Sequence, residues 1–192
     1  MERGKLIAVS APSGAGKHTI IQSAMRDLPN LEYSVSATTR EPRPGETDGK
    51  DYYFFPPEEF RKRMAAGEFV EWAEVHGHLY GTLHAEMNRR LASGKDILVQ
   101  LDVQGVRNLK ASGIPFVSVF IMPPSLDELK SRLVARGADN IEEIGIRLQN
   151  AGAEMAARHE YDYVIVNADL ETAIEDFESI IRAERCKEDQ NR

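Results

Sequence analysis

A lysine, two glycines and a threonine lie close together near the start of the chain, in the run Ala11-Pro12-Ser13-Gly14-Ala15-Gly16-Lys17-His18-Thr19. Glycine has no Cβ, so a loop that contains Gly14 and Gly16 can curl and point its backbone N–H groups at one anion. A helix that begins directly after such a loop adds unpaired N–H donors and a partial positive charge. Lys17 adds a full charge. The combination predicts a loop that binds the phosphates of a nucleoside triphosphate.

This loop differs from the usual phosphate-binding pattern G-x-x-x-x-G-K-[ST]. Ala11 stands where the first glycine is usual, and His18 stands where a hydroxyl is usual, with Thr19 one position later. The alternative is a glycine-rich turn with an incidental lysine, but the order of strand, glycines, lysine and helix favours phosphate binding. We assign His18 no catalytic role, because a single histidine is more often structural than a ligand. His18→Ser is expected to retain or raise activity, because it restores a common loop pattern.

Short apolar runs alternate with longer amphipathic stretches along the chain, which predicts an α/β fold with a largely parallel sheet. Continuous apolar runs are typical of strands that helices cover on both faces. The predicted strands are Leu6–Ser10, Asp96–Leu101, Phe116–Ile121 and Tyr163–Val166. The predicted helices are Lys17–Arg26, Glu86–Ser93, Leu126–Arg136, Ile141–Arg158 and Leu170–Arg185. Ser125 and Glu128 form an S-x-x-E capping box that marks the start of the third of these helices.

The segment 33–82 has a different composition, rich in Tyr, Thr, Arg, Gly and Pro. The turn-rich stretch Arg40–Asp51 is followed by Tyr52–Phe55, which predicts a strand. A proline pair ends that strand, and Glu58–Ala66 predicts a short helix. We interpret this segment as an insertion that carries a second binding site.

The composition limits the classes of function. The chain has 192 residues, 42% of them hydrophobic and 29% charged, which is typical of one sizeable globular domain. Its formal net charge of −7 argues against broad nucleic-acid binding. Its apolar runs are too short for a membrane span. The one cysteine, Cys186, has no partner for an internal disulfide. These features predict a cytoplasmic protein whose partners are small molecules, with no nucleic acid and no membrane.

Several blocks of sequence, in a fixed order, resemble the guanylate kinase family over nearly the full length of the chain. These blocks are Ser34–Glu46, Gly49–Tyr52, Glu68–Ala73, Tyr80–Thr82, Leu101–Gly105 and Val164–Asn167. The resemblance implies a three-layer P-loop α/β fold with a parallel central sheet. The core would comprise residues 1–32, 83–128 and 154–192, with a mixed α/β GMP-binding insertion at 33–82 and a helical lid at 129–153. It also implies a kinase that transfers the γ-phosphoryl group of ATP to GMP, and to dGMP, with Mg²⁺ as cofactor.

The resemblance assigns the donor site to the loop and to one distant residue. The residues implied to bind ATP are Ala11, Pro12, Ser13, Gly14, Ala15, Gly16, Lys17, His18, Thr19 and Asn167. Thr19, directly or through water, and Asp102, through water, are the candidate contacts of Mg²⁺. Asp102 ends a predicted strand, where α/β proteins bind ligands, so it could instead orient the guanine edge. The family often has a second acid two positions earlier, where this chain has Gln100.

The acceptor site is expected in the insertion. Arg40 and Arg43 flank Pro42, and two guanidinium forks in a stiff turn suit one phosphate group. Tyr52 and Tyr80 can add hydroxyl donors, and the resemblance implies a phosphate-binding role for all four residues. For either arginine taken alone, the alternative is a solvated surface charge.

The guanine base would be recognised through the hydrogen-bonding groups on its edge. Guanine presents N1–H and a 2-amino group, so a carboxylate such as Glu71 is a natural partner. Ser36 and Thr82 can bind the O6 and N7 side, and the resemblance implies that both do. Adenine lacks those donors, and Glu71 would discriminate against it. The alternative role for Glu71 is a charge at the rim of an edge strand.

The lid is expected to contribute arginines. Arg132 and Arg136 lie four residues apart on one helix and share a face, and Arg147 follows on the next helix. Converging on a triphosphate, they would neutralise charge that develops during phosphoryl transfer. Alternatively, they pair on the helix surface with Asp127, Glu128 or Glu143.

Other functions compete with the kinase. Guanylate-kinase-like domains in scaffold proteins bind protein partners without catalysis, but here the glycines, Lys17 and the arginines are present. A related kinase could act on a phosphorylated sugar, although Glu71, Ser36 and Thr82 favour a guanine acceptor. An ATPase or switch would need a residue that positions water, and the sequence offers no clear candidate.

Overall fold

The computed structural model describes residues 3–75, 77–136 and 141–187, with the side chains of residues 75, 136, 141 and 142 excepted. The strands are β1 (Leu6–Ser10), β2 (Leu31–Tyr33), β3 (Ala37–Thr38), β4 (Tyr53–Phe54), β5 (Phe69–Val75), β6 (His78–Leu83), β7 (Asp96–Gln100), β8 (Val117–Met122) and β9 (Tyr163–Val166). The helices are α1 (Lys17–Asp27), α2 (Pro57–Ala65), α3 (His84–Ala92), α4 (Val103–Ala111), α5 (Leu126–Arg136), α6 (Ile141–Ala156) and α7 (Leu170–Arg185). A short 3-10 helix, Ala157–Glu160, follows α6.

The central sheet has five strands in the order β2-β7-β1-β8-β9, and every neighbouring pair is parallel. β1 is buried along its whole length, as its continuous apolar run predicts. Alternate residues of β1 pack on opposite faces of the central sheet. Ile7 and Val9 pack in one cluster with residues of α1 and α7, and Leu6 and Ala8 pack in another with residues of α3 and α4. The predicted three-layer fold with a parallel sheet is confirmed.

The insertion forms its own sheet, in the order β4-β3-β6-β5. β3 pairs with β4 in parallel and with β6 antiparallel, and β5 and β6 form an antiparallel hairpin. The helix α2 covers this sheet through Phe60, whose ring stacks on Phe69 at a centroid distance of 4.4 Å. A separate hydrophobic cluster, formed by Ala37, Phe60, Phe69 and Leu83, stabilises the insertion. The predicted strand over Tyr52–Phe55 is shorter than expected, and the predicted helix is confirmed within a residue at each end.

The helices α5 and α6 pack against each other through Leu129, Leu133 and Ala151. The connection between them, residues 137–140, lies outside the described residues. One of the two hydrogen bonds of the predicted capping box at the start of α5 is present, because the Glu128 N–H donates to Ser125 Oγ at 3.1 Å. The Glu128 carboxylate accepts from Arg132 instead of completing the box. Within the described part of the chain, no helix is long and apolar enough to cross a membrane.

The buried carboxylate of Asp96 ties the start of the central sheet to the last helix. It accepts a hydrogen bond from the Lys5 backbone N–H at 2.7 Å and another from Arg185 Nε at 2.6 Å. Arg185 also donates to the Pro29 carbonyl, just before β2, at 2.7 Å. One side chain therefore connects residues at the ends of β1, β7 and α7.

We expect Asp96→Ala to lower the free energy of unfolding by about 2–4 kcal/mol, because it removes a buried carboxylate that accepts from the partly buried Lys5 N–H and pairs with the Arg185 guanidinium. Urea unfolding followed by circular dichroism measures the change. Asp176→Ala, at an exposed position on α7, is the control and should change stability by less than about 0.5 kcal/mol. Equal stability of the two variants would show that the Asp96 contacts contribute little.

Candidate functional site

The loop between β1 and α1 has the conformation that its glycines predict. Gly14 and Gly16 both have φ of +92°, and the Ala15 N–H closes a turn on the Pro12 carbonyl at 3.1 Å. Gly16 caps α1 in the left-handed region. A Cβ on Gly16 would also clash with the Asn167 side chain. This position therefore requires glycine for its backbone and for its neighbour.

Asn167, directly after β9, supports the loop with a side-chain hydrogen bond. Its buried Nδ2 donates to the Ala15 carbonyl at 2.8 Å, and its own N–H donates to the Met122 carbonyl at 2.8 Å. Its carbonyl accepts from Arg132 Nη2 at 3.0 Å. The predicted contact with ATP remains a prediction. The structure gives Asn167 a second role, as the residue that joins the loop, the sheet edge and α5.

The Lys17 side chain lines a cavity of about 150 Å³ beside the loop. Asp102 and Glu154 line the same cavity. Burial lowers the pKa of the Lys17 ammonium, and the two carboxylates oppose that shift. Burial likewise raises the pKa of Glu154. Sequence reasoning missed Glu154, which lies near the end of α6, far from the loop in sequence.

Asp102 lies at the carboxyl end of β7, as predicted, and it is also the N-cap of α4. Its Oδ1 accepts from the Gly105 N–H at 2.6 Å. The sequence did not predict α4, although aspartate is among the residues preferred at a helix N-cap. At the end of the same strand, Gln100 Nε2 donates to the Tyr33 hydroxyl at 3.1 Å. Gln100 is thus held against β2.

A larger cleft, of about 870 Å³, opens between the central sheet and the insertion. It is lined by six of the residues predicted to bind the acceptor: Ser36, Tyr52, Glu71, Tyr80, Thr82 and Asp102. Among the described residues, those that line it do not include Arg40 or Arg43. The cleft and the Lys17 cavity share Gln100, Leu101 and Asp102. The two spaces therefore meet at the end of β7.

Glu71 and Thr82 lie opposite each other on β5 and β6. The Thr82 hydroxyl donates to Glu71 Oε1 at 2.8 Å, and Thr82 is buried. Burial raises the pKa of the Glu71 carboxyl, with the Thr82 hydroxyl opposing the shift and Asp102 adding to it. A carboxylate held in a cleft by one donor retains lone pairs for a further donor.

Arg40 forms an ion pair with the carboxylate of Glu46. Its Nη2 lies 2.8 Å and 3.0 Å from the two carboxylate oxygens of Glu46. Glu46 also accepts from the Arg43 backbone N–H at 2.7 Å, and Arg40 lowers the pKa of the Glu46 carboxyl. The Arg40 guanidinium lies 5.4 Å from the centre of the Tyr52 ring. Sequence reasoning missed Glu46 as the partner of Arg40, although it is part of the S-x-T-T-R-x-P-R-x-G-E block.

Two of the predicted lid arginines contact the loop region. Arg147 Nη1 donates to Ser13 Oγ at 2.7 Å, and Arg132 bridges Glu128 and the Asn167 carbonyl. Pairing with Glu128 was the alternative role for Arg132, and the structure has both contacts. The third predicted residue, Arg136, ends α5, and its side chain lies outside the described residues. The helix α6 therefore contacts the loop directly, and α5 is connected to it through Asn167.

Comparison with known proteins identifies close relatives. The family model for guanylate kinase matches residues 3–184. A guanylate kinase from Thermotoga maritima is 44% identical, over 98% of this chain and 91% of the relative. One from Carboxydothermus hydrogenoformans is 48% identical, over 97% of this chain and 92% of the relative. Among solved structures, guanylate kinase from Anaplasma phagocytophilum matches with a TM-score of 0.69 at 35% identity, over 97% of this chain and 89% of that one.

Proposed function

The chain belongs to the guanylate kinase family and is a nucleoside monophosphate kinase, and from this premise we propose that it transfers the γ-phosphoryl group of ATP to GMP and dGMP. ADP and GDP, or dGDP, are the products. The proposal assigns GMP binding to residues 33–82 and closure over ATP to residues 129–153. The alternatives, a protein-binding module and a kinase of a phosphorylated sugar, make less use of the residues in the cleft.

The observation that carries this proposal is the junction of the two spaces at the end of β7. The Lys17 cavity is suited to the terminal phosphates of ATP, and the cleft is suited to a nucleoside monophosphate. Because both share Gln100, Leu101 and Asp102, the donor and acceptor phosphates would meet there. Such a junction is what direct transfer between two bound nucleotides requires.

Phosphoryl transfer needs positioning and charge stabilisation more than proton transfer. The acceptor oxygen of GMP is already anionic near neutral pH, so no strong general base is needed. Lys17 and the loop N–H groups would hold the donor phosphates. Arg40 and Arg43, with Tyr52 and Tyr80, would hold the acceptor phosphate. Arg40 would exchange the Glu46 carboxylate for phosphate, another anion with oxygens placed for a guanidinium fork.

The lid arginines would complete the donor site. Arg147 already contacts Ser13 of the loop, and Arg132 contacts Asn167, which supports the loop. Arg136 is proposed to join them. Their charges would stabilise the transferring phosphoryl group. Closure of α5 and α6 would exclude water and so limit wasteful hydrolysis of ATP.

The residues around Lys17 are compatible with Mg²⁺. This ion usually retains several waters and binds one or two carboxylates together with substrate phosphates. Asp102 and Glu154 place two carboxylates in one cavity, and Thr19 is exposed in the first turn of α1; these residues would hold the ion, directly or through water. When bound, it would neutralise charge on the phosphates of ATP. Within the described parts of the chain, no group of three or more His, Cys, Asp or Glu side chains could hold a metal ion.

The function is tested by ADP formation from ATP and Mg²⁺ with GMP, dGMP, AMP, CMP, UMP and ribose 1,5-bisphosphate offered separately. Turnover with GMP and dGMP alone is the expected result. Turnover with the sugar phosphate would favour the second alternative. GMP binding without turnover by any acceptor would favour a binding module.

Glu71→Gln should lower kcat/KM for GMP by about tenfold to a hundredfold, because the amide loses the charge that pairs with the two guanine donors. The same variant should be more stable than the wild type at neutral pH. Burial raises the pKa of Glu71, so its ionisation costs stability at every pH above the folded-state value. A glutamine does not ionise, and the gain should disappear as the pH falls and the wild-type carboxyl becomes protonated.

Steady-state kinetics and thermal unfolding at several pH values measure both effects. Glu74→Gln changes an exposed residue of the same strand and is the matched control. A Glu71→Gln variant with unchanged kcat/KM for GMP would remove Glu71 from the guanine site.

A further inference from the structure

His18 and Lys17 are consecutive residues at the start of α1, and they line different spaces. Lys17 lines the small cavity beside the loop. His18 lines the acceptor cleft, together with Tyr52 and Tyr80 from the insertion. Its side chain is exposed there. His18 therefore reaches the cleft from the core, whereas the tyrosines reach it from the insertion.

The chemistry of His18 suits an anion. An imidazole donates an N–H hydrogen bond in its neutral form and two in its protonated form. A protonated ring forms the shorter, charge-assisted bond to phosphate. The first turn of α1, all of which the structure describes, carries no acidic residue. Its unpaired N–H groups and the charge of Lys17 add to a positive potential at this corner of the cleft.

The carboxylates that share the cleft with His18 are held by other groups. Glu32 of β2 pairs with Arg90 and Lys95, and Asp51 accepts from the Thr47 N–H. Glu71 and Asp102 have the partners described above. The basic residues of the cleft are Lys50 and Arg90, and Arg90 also pairs with Glu86. Tyr33, whose pKa is raised by burial, completes the ionisable groups with Tyr52 and Tyr80.

We propose that His18 is a binding residue for the acceptor, donating from its imidazole to the phosphate of GMP. The inference rests on the proposed function, in which the cleft takes GMP. In the usual loop a serine or threonine hydroxyl stands here, attached directly to Cβ. The longer histidine lines the cleft that Tyr52 and Tyr80 also line, and it offers this cleft a donor from the core. Because this contact concerns binding of the acceptor, His18→Ser should retain its turnover at saturating GMP, but its activity should fall where GMP is limiting.

The test compares wild type, His18→Ala and His18→Ser in KM for GMP and kcat, at saturating ATP and Mg²⁺. We expect both variants to raise the KM for GMP about threefold to tenfold, as loss of a hydrogen bond to the phosphate implies. Neither should lower kcat more than about twofold. Gln22→Ala, at an exposed position of the same helix, is the matched control and should change neither parameter.

Direct measurements of ligand binding separate recognition of the phosphate from recognition of the base. His18→Ala should weaken GMP binding and leave guanosine binding unchanged, because guanosine has no phosphate. Equal loss for both ligands, or a change confined to the Mg²⁺ or ATP requirement, would overturn the proposal. Wild-type turnover with GMP and an unchanged KM in His18→Ala contradicts the role of His18 alone. Absence of GMP turnover in the wild type contradicts the proposed function as well.

Discussion

Lys17→Met is expected to lower kcat by about a thousandfold or more, because it removes the one full charge that the loop offers to the transferring phosphate. Lys17 is a partly buried ammonium beside Glu154 and Asp102. Burial lowers its pKa, and the two carboxylates favour its charged form. Methionine fills a similar volume without charge, so the two carboxylates would then repel both each other and the incoming triphosphate. The loss should therefore affect ATP binding as well as turnover.

Single-turnover kinetics and ATP titration separate these two effects for Lys17→Met. Lys62→Met, at an exposed position on α2, removes the same charge from the insertion surface and should behave as wild type. Circular dichroism of both variants checks folding. A folded Lys17→Met variant that retains turnover within about tenfold of wild type would exclude Lys17 from charge stabilisation in the transition state.

The core was predictable because its signals are local. β1 and β9 are continuous apolar runs between turn residues, and the structure has them with the predicted bounds. The helix α7 has a strong period of buried residues and was also predicted to the residue. β2 and α4 were not predicted. The helix α4 contains Gly105, which weakens its helix propensity. A strand of three residues such as β2 is stabilised by pairing with β7, which the local sequence does not reveal.

The strands of the insertion were also harder to predict, because strand pairing cannot be deduced from the local sequence. Its strands β5 and β6 carry polar and small residues where they face the cleft, so their apolar periodicity is broken. The register between β5 and β6 shifts between Phe69 and Glu71. A bulge of this kind redirects side chains and depends on the pairing of both strands. Function, rather than packing, sets the pattern there.

The members of the site could be named from their chemistry together with the family resemblance, but their partners could not. Six predicted acceptor residues line one cleft, since motif blocks preserve which residues face a ligand. Glu154 beside Lys17 and Glu46 on Arg40 depend on geometry across loops and helices. Glu154 has no distinguishing sequence pattern, and the motif block that contains Glu46 does not show which cation this residue contacts. His18 belongs to the same class, since only the fold shows which space it lines.

Arg40→Ala is expected to lower kcat/KM for GMP by about a hundredfold to a thousandfold and to leave ATP binding unchanged. Its guanidinium already forms two hydrogen bonds with a carboxylate, that of Glu46. The ring of Tyr52, a cleft residue, lies beside it. The acceptor phosphate would take the place of the carboxylate. In the variant, Glu46 would lose this cation and repel the phosphate, so the loss should exceed that of one hydrogen bond.

Arg40→Lys distinguishes charge from geometry. Lysine keeps the charge but lacks the planar fork, so this variant should recover only part of the lost kcat/KM. Arg61→Ala, at an exposed position on α2 of the same insertion, is the matched control and should have wild-type kinetics. Kinetics with GMP varied and titration with ATP measure the two sites separately. If Arg40→Ala turned over GMP as the wild type does, the Arg40–Glu46 pair would be a surface contact of the insertion, and the phosphate site would have to be sought at Arg43, Tyr52 and Tyr80 alone.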